Sequence, residues 1–373
     1  VAGAPAFSNT QHDAHGRRTQ VTTNKGTWTY GYRGGVDGDG QLVSAGNPGL
    51  GDFQYSFDGI GRRTAFTLPG QAPQAAAGNT LNQIHQATWP QSRDLRVKAH
   101  ADARVWLNGV ERFSPPNWLD FDGEEGYALN SPGPDGGWLG WDVLAVREGG
   151  GDPGANPDRK SRKTGHFYFP PAQESFTYDA DGNRIGSARW TYAYDGLNRM
   201  TRAVNNDLAT APEAWDITFS YDAEGRRHAK TARQYSDGTH LETLATTWTW
   251  DGWHPVVERT VDSHNRPVVE RRMVWGPDLS GEPGGAGGAG GLLLIREKTW
   301  TLDGKPPVTT DLLPLHDGSG NIVGLAATDG TLLAEYWYGP FGELIEAKGP
   351  KAASNPYRWA GKQLDAETGL VYF

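Results

Sequence analysis

A short motif recurs along the chain and limits what the chain can fold into. It reads aromatic-x-aromatic-Asp-x-x-Gly, followed by Asn or Arg and then Arg, as in "YSFDGIGRR", "FTYDADGNR" and "FSYDAEGRR". Alternating aromatics indicate a strand with one buried face, because strand side chains point to alternate faces. The Asp accepts backbone N–H bonds and starts a turn, and the Gly supplies the positive φ that hairpin turns need. The motif therefore predicts β-hairpins.

Three copies of the motif give the most specific expectation. We predict that Asp179–Gly182, Asp195–Asn198 and Asp222–Gly225 are hairpin turns in one continuous antiparallel sheet, with the Arg that follows close enough to pair with an acid. The Tyr-Asp pairs lie 16 and then 27 residues apart (194 − 178 and 221 − 194). Solenoid repeats are more regular, so a spiralling sheet of unequal hairpins is expected instead. The structural motif residues are Tyr178, Asp179, Gly182, Tyr194, Asp195, Tyr221, Asp222 and Gly225.

Composition supports a folded chain with many turns. The 373 residues include 51 Gly, 24 Pro, 15 Trp, 14 Tyr and 12 Phe, which is too aromatic for a disordered chain. The formal net charge of -9 argues against nucleic acid as a partner. The absence of Cys excludes disulfides and thiolate metal sites. No apolar run approaches the roughly 18 residues that span a bilayer, so no membrane span is expected.

The Tyr-Asp motifs resemble the YD repeats of RHS (rearrangement hotspot) proteins. A stronger resemblance lies near the C-terminus, where "LHDGSGNIVGLAATDGTLLAEYWYGPFGELI" and "NPYRWAGKQLDAETGLVYF" are similar to the RHS-associated core of that family. Residues 355–358 (Asn-Pro-Tyr-Arg) and 365–370 (Asp-x-x-Thr-Gly-Leu) match the family pattern closely. The segment "VWGPDLSG" at 274–281 also resembles one that often precedes the core.

The resemblance implies an all-β fold, in which a spiralling antiparallel sheet of YD-repeat hairpins forms part of a β-shell or barrel. In bacterial toxin members of the family, the shell encloses a C-terminal toxin that is often released by self-cleavage. The family's cleavage motifs are expected beyond Phe373, and both ends of the chain resemble cuts in a longer protein. The implied partners are an enclosed C-terminal polypeptide of the parent protein or secretion machinery, and the implied location is secreted or cell-surface.

Four regions are predicted. They are YD-repeat hairpins at 1–84, an inserted β-sandwich at 85–169, a YD-repeat sheet at 170–345 and the truncated start of the RHS-associated core at 346–373. The insert lacks the motif, and its Asn108-Gly109 pair predicts a type I′ hairpin. Its dense tryptophans are interpreted as core or covered edge. The alternative is an exposed platform for sugar rings, whose candidate residues are Trp106, Trp118, Trp138 and Trp141.

No catalytic residue, metal ligand or cofactor is predicted. The Asp-x-Asp-x-Asn run at 179–183 begins like a calcium loop, but residues 184 and 190 are Arg and Trp where an EF-hand needs Gly and Glu. His12-x-x-His15 lacks a third zinc ligand nearby. The chain has no Gly-x-Ser-x-Gly elbow, and the glycine-rich run at 281–291 lacks the Gly-Lys-Ser/Thr ending of a phosphate loop. That run is interpreted as flexible or tightly turning.

These observations predict a non-enzymatic segment of a β-shell that encloses or presents a C-terminal toxin or other cargo. Two alternatives stay open. The insert could bind a polysaccharide or a cell surface through its tryptophans. Two carboxylates brought together by the sheet could form a glycoside hydrolase or another hydrolase, since such a pair leaves no local signature in the sequence.

Overall fold

The structure of the protein is a computed structural model that describes residues 7–23, 26–34, 40–99, 102–113, 124–149, 158–301 and 303–373. These residues form antiparallel strands and one short 3-10 turn, Trp359–Gly361. The expectation of an all-β chain built on a large antiparallel sheet is confirmed. Among the described residues, no helix is long and apolar enough to cross a bilayer.

The chain opens as a meander in which each strand pairs with the next one. Its strands are β1 (Phe7–His12), β2 (Arg18–Thr23), β3 (Gly26–Tyr32), β4 (Leu42–Asn47), β5 (Gly51–Phe57), β6 (Arg63–Thr67), β7 (Gln74–Gly78) and β8 (Ile84–Thr88). The sequence placed His85–Thr88 in the insert, but these residues belong to this sheet. The partner of β8 is a strand at Gln173–Ser175, far along the chain, and no local sequence pattern predicts that pairing.

The segment between Thr88 and β15 (Gln173–Ser175) forms two small sheets that share one core. β9 (Ser92–Lys98) pairs with β12 (Glu124–Asn130), and β11 (Val110–Phe113), β10 (Arg104–Leu107), β13 (Gly137–Arg147) and β14 (Arg159–Phe169) lie side by side in that order. Leu95 and Leu129 from the first sheet pack with Val105, Leu107 and Val143 from the second. Asn108 and Gly109 both have positive φ, as a type I′ turn requires. This is the expected small β-sandwich.

The meander then continues into a second, 14-stranded sheet. The strand β15 (Gln173–Ser175) pairs with β8 and runs into β16 (Thr177–Tyr178). The strands that follow are β17 (Arg184–Gly186), β18 (Trp190–Tyr194), β19 (Met200–Asn205), β20 (Ala214–Tyr221), β21 (Arg227–Ser236), β22 (Thr239–Asp251), β23 (His254–Asp262), β24 (Pro267–Trp275), β25 (Leu292–Thr299), β26 (Val308–His316), β27 (Ile322–Ala326), β28 (Leu332–Tyr338) and β29 (Leu344–Lys348). A hairpin of β30 (Gln363–Asp365) and β31 (Leu370–Tyr372) ends the chain.

Hydrogen bonds to the backbone of β8 join the two large sheets into one ribbon. Phe176, between β15 and β16, donates its N–H to the His85 carbonyl at 3.0 Å. The Tyr178 hydroxyl donates to the Ile84 carbonyl at 2.6 Å. Because strand directions alternate, the motif turns all lie along one edge of the ribbon, which we call the motif edge, at 13–16, 58–61, 179–182, 195–198, 222–225 and 317–320. The β-sandwich leaves the ribbon from the opposite edge.

The three predicted hairpin turns are present in the 14-stranded sheet, and local contacts explain them. In the third, the Gly225 N–H donates to the Asp222 carbonyl at 3.0 Å, and the Asp222 carboxylate accepts from the Arg226 N–H at 2.9 Å and from its Nε at 2.7 Å. The same Asp–Arg ion pair closes the turns that begin at residues 13, 58 and 195. In the turns at 179 and 317, an Asn side chain replaces the Arg as donor.

Gly225 has φ +84°, and a Cβ there would meet only one atom of Arg199, at 3.8 Å. We expect Gly225→Ala to lower the free energy of unfolding by about 1–2 kcal/mol through backbone strain alone. Gly196 lies in a neighbouring motif turn with open space around it and no positive φ, so Gly196→Ala is the matched control and should change stability by less than about 0.5 kcal/mol. Urea unfolding of both variants measures this, and equal effects would contradict the assigned turn geometry.

The ribbon curls until its end touches its beginning. The Phe341 ring, at the tip of the β28–β29 turn, meets the Tyr55 ring of β5 edge-on with centroids 4.7 Å apart. Glu343 pairs with Arg63 at 3.4 Å, and Ile345 packs into the core of the first sheet. With β15 and β16 counted as one strand, β5 and β28 are strands 5 and 21 of the ribbon, so one turn takes about 16 strands. At roughly 4.8 Å per strand, one turn has a circumference of about 77 Å and therefore a diameter of about 25 Å.

Candidate functional site

The concave face of the ribbon, called here the inner face, carries the aromatic stripe that the sequence predicted. Its buried members include Trp28, Phe53, Tyr55, Trp190, Tyr192 and Phe219. The second Arg of the motif lies on this face and covers aromatic rings: the Arg227 guanidinium is 4.4 Å from the Phe219 centroid, and that of Arg184 is 5.4 Å from the Tyr192 centroid. The motif therefore assigns its first Arg to the turn and its second to the stripe.

Residues 349–373, called here the strap, cross the inner face of the 14-stranded sheet. Leu370 packs against the cluster built around Trp190 and Tyr192. The Tyr372 ring lies 6.3 Å from the Trp250 ring, and its hydroxyl accepts from the Arg227 N–H at 2.8 Å. The sheet thus wraps a later part of its own chain.

A buried row of alternating charges anchors the first half of the strap. Glu258, Arg271 and Glu297 are direct cross-strand partners on β23, β24 and β25, and they are 2%, 7% and 3% exposed. Arg271 pairs with Glu258 and, at 2.8 Å, with Glu297. The strap completes the row, because Arg271 donates to the Ser354 carbonyl at 3.0 Å and Lys351 pairs with Glu297 at 2.7 Å.

Glu258 is also the acceptor for three neutral donors. The Tyr357 hydroxyl of the strap donates to it at 3.0 Å, the Trp248 indole N–H at 3.1 Å and the Gln363 amide at 3.4 Å. Burial raises the pKa of Tyr357, and the Glu258 charge raises it further, so the phenol stays a donor. Burial opposes the charge on Glu297, but Arg271 and Lys351 outweigh it and hold the pKa of Glu297 below its usual value.

A second buried cluster anchors the end of the strap. Asp365, 2% exposed, pairs with Arg227 at 2.7 Å and with Lys230 at 3.1 Å. Lys230 also pairs with Glu367 at 3.0 Å. Burial alone would lower the pKa of Lys230, but the two carboxylates outweigh burial and raise it, so the amine remains an ammonium ion. Two cations therefore face two anions at this anchor.

In both clusters the ion-pair partners stabilise the charged forms, as at Glu297 and Lys230. A glycosidase needs one carboxyl group with a raised pKa that can act as general acid. Among the described residues, every carboxyl pKa that departs clearly from its ordinary value is lowered, as at Asp222, where hydrogen bonds from Arg226 outweigh desolvation, and at Glu297. Both carboxylates of the first row are bridged by one guanidinium. This arrangement favours anchoring over acid–base chemistry.

The tryptophans of the insert occupy different surroundings. Trp138 faces the ribbon, where its indole N–H donates to Asp207 at 2.8 Å and Arg189 lies 4.8 Å from its ring. Trp106 is on the same face of the small sheet but about 20 Å away, beneath Arg104. Trp141 points to the opposite face and packs in the sandwich core. Trp118 lies outside the described residues. Trp106, Trp138 and Trp141 therefore do not form one platform.

Sequence reasoning missed the row of Glu258, Arg271 and Glu297. A signal existed, because each of three successive strands carries a charged residue in its interior at a position whose parity is that of the buried side chains. Opposite signs at such positions on adjacent strands predict a buried ion-pair row only once the register is known.

No protein-family model matches the chain. Over 200 residues, 53% of this chain, it is 28% identical to a tRNA3(Ser)-specific nuclease WapA of Bacillus spizizenii and to a tRNA nuclease WapA of Bacillus subtilis strain 168. The matched region is 7% of each relative, so the chain spans a small part of their length. Crystal structures of TcdB2-TccC3-Cdc42 and TcdB2-TccC3 align with 98% and 100% of this chain and 17% and 18% of theirs, at 14% and 13% identity and a TM-score of 0.41 in both.

Proposed function

We propose that this chain is a non-enzymatic segment of an RHS-type β-shell, whose inner face wraps and holds polypeptide that follows it in a longer protein. The observation that carries the proposal is the strap, which two buried ionic clusters fix against the inner face. A sheet that only needed to be stable would gain as much from apolar packing, since buried ion pairs add little net stability. Charged anchors instead fix where the chain runs.

The comparisons support the same function. The named nucleases are much longer than this chain, and the chain matches only 7% of each. Under the proposal, this part serves as scaffold and the activity belongs to another part of such a protein. The partner is then a C-terminal polypeptide of the same parent, and the parent acts outside the cell or at its surface.

A protease-accessibility experiment tests the proposal. A short, flexible segment with a specific protease site is added directly after Phe373, and in a second protein the same segment precedes Val1. The strap leads the chain onto the inner face of a curled sheet about 25 Å in diameter. A folded protease should therefore reach the site after Phe373 less easily than the site before Val1. We expect cleavage after Phe373 to be at least about tenfold slower, since proteolysis then follows the open population.

The control frees the strap while leaving the added site unchanged. Asp365→Ala removes the acid shared by Arg227 and Lys230, so cleavage after Phe373 should accelerate towards the rate at the N-terminal site. Equal rates at the two sites of the parent protein would contradict the proposal.

A further inference from the structure

A strongly charged groove lies on the outer face of the ribbon. A groove of about 450 Å³ lies across β24, β25 and β26 and reaches Thr328 of the following turn. This volume is within the range of small-molecule sites, about 300–1,000 Å³. The side chains that matter most are Glu270, Arg272, Arg296, Lys298, Thr309 and Asp311. The groove faces away from the strap and takes no part in anchoring it.

Two arginines stand directly opposite each other in this groove. Arg272 of β24 and Arg296 of β25 are cross-strand partners, and like charges in that position destabilise a sheet. Glu270, two residues before Arg272 on β24 and opposite Lys298, pairs with Arg272 at 2.9 Å, and Asp311 of β26 pairs with Arg296 at 2.7 Å. Among the described residues, no single carboxylate pairs with both guanidinium groups.

Several strong donors in the groove have no acceptor among the described residues and face solvent, since the Arg272 and Arg296 side chains are 66% and 54% exposed. Arg272 uses only its Nε, and Arg296 uses its Nε and one terminal nitrogen. Within the described part of the chain, the remaining terminal nitrogens of both side chains and the Lys298 ammonium make no hydrogen bond or ion pair. Three cations against two carboxylates leave the groove with a net charge of +1, although the whole chain carries -9.

We propose that this groove binds an oxyanion, a carboxylate or a phosphate, carried by a small polar molecule of sugar size. The oxyanion lies between Arg272, Arg296 and Lys298 and accepts their free N–H bonds, which relieves the repulsion between the two arginines. The Thr309 and Thr328 hydroxyls at the groove wall are available to the hydroxyl groups of such a ligand. This inference is independent of the proposed shell function, because the groove and the strap are on opposite faces.

Titration calorimetry with the whole chain tests the inference, with inorganic phosphate, glucuronate and glucose as probes. We expect phosphate or glucuronate to bind and glucose to bind at least about tenfold more weakly, since one charged hydrogen bond is worth that factor or more. Binding of phosphate alone identifies a free or esterified phosphate as the ligand, and binding of glucuronate alone identifies a carboxylated sugar. Lys298→Met should weaken binding by about tenfold.

A matched ion pair elsewhere supplies the control. Arg202 and Asp216 form a two-point pair on β19 and β20, like that of Arg296 and Asp311, but the residue opposite Arg202 is Thr218. Arg202→Gln should leave phosphate and glucuronate binding unchanged. The inference is overturned if neither anion binds, if glucose binds as well as glucuronate, or if Lys298→Met, with an unchanged melting temperature, binds both anions like the parent.

Discussion

Arg271→Met is expected to lower the free energy of unfolding by about 3–5 kcal/mol at pH 7. The substitution keeps most of the side-chain length and removes the cation between Glu258 and Glu297, which are 2% and 3% exposed. Lys351 remains beside Glu297, but Glu258 keeps only neutral donors. An uncompensated buried carboxylate is among the largest single destabilising effects.

Acidification should reduce this deficit. In the parent protein the pKa of Glu297 is lowered, so the stability it contributes is present above its unfolded pKa of about 4.3 and is lost as the pH falls through the lower folded value. Without Arg271, Glu297 loses one of the two cations that oppose its desolvation, so its pKa rises and protonation then relieves the buried charge. Between pH 7 and pH 4.5 the parent should therefore keep the stability that Glu297 contributes, while protonation stabilises the variant and the gap between parent and variant narrows.

Urea unfolding at the two pH values measures both effects. Arg202→Met is the control, because Arg202 is half exposed and its pair with Asp216 lies on the surface, so its loss should cost less than about 1 kcal/mol. A gap between parent and Arg271→Met that stays constant from pH 7 to pH 4.5 would show that the lost guanidinium acted through packing and not through charge.

The turns could be predicted because their contacts are local. Asp195, for example, accepts from the Leu197 and Arg199 N–H groups and from the Arg199 side chain, all within five residues. The alternating aromatics likewise fix which face of each strand is buried before any partner strand is known. Contacts within a few residues can therefore be predicted from the sequence alone.

The anchors could not be predicted because they depend on long-range register. Arg227 and Asp365 are 138 residues apart, and Arg271 meets Glu297 only because of how the chain between β24 and β25 is folded. That connection contains the glycine-rich run, which the sequence left as either flexible or tightly turning. In the structure it turns tightly around the Asp278 carboxylate, which accepts from the Ala286 N–H at 2.7 Å and the Gly288 N–H at 2.9 Å.

The docking of the insert is also a long-range effect. Trp138 meets Asp207 across 69 residues and two sheets. A dense group of tryptophans therefore had two interpretations in the sequence, core or exposed platform, and composition could not separate them. The partner of an indole N–H is decided by which sheets come together, and only the fold determines that.

Trp190→Ala is expected to lower the free energy of unfolding by about 3–5 kcal/mol, the usual cost of removing a packed core aromatic. Trp190 is 6% exposed and stacks with Tyr192 at a centroid distance of 6.4 Å. Trp253 provides the control, since it is 64% exposed at a turn on the motif edge, and Trp253→Ala should cost less than about 0.5 kcal/mol.

Both variants lose one indole, so a difference between their free energies of unfolding, measured by chemical denaturation, reports the packing of Trp190. If the stripe is the packed inner layer of the wall, only Trp190→Ala should also loosen the strap, since Leu370 packs on the same cluster. Faster proteolysis between residues 349 and 373 would report that loosening. A Trp190→Ala protein as stable as Trp253→Ala would mean that the stripe is not core, and the inner face would then have no apolar layer with which to hold polypeptide.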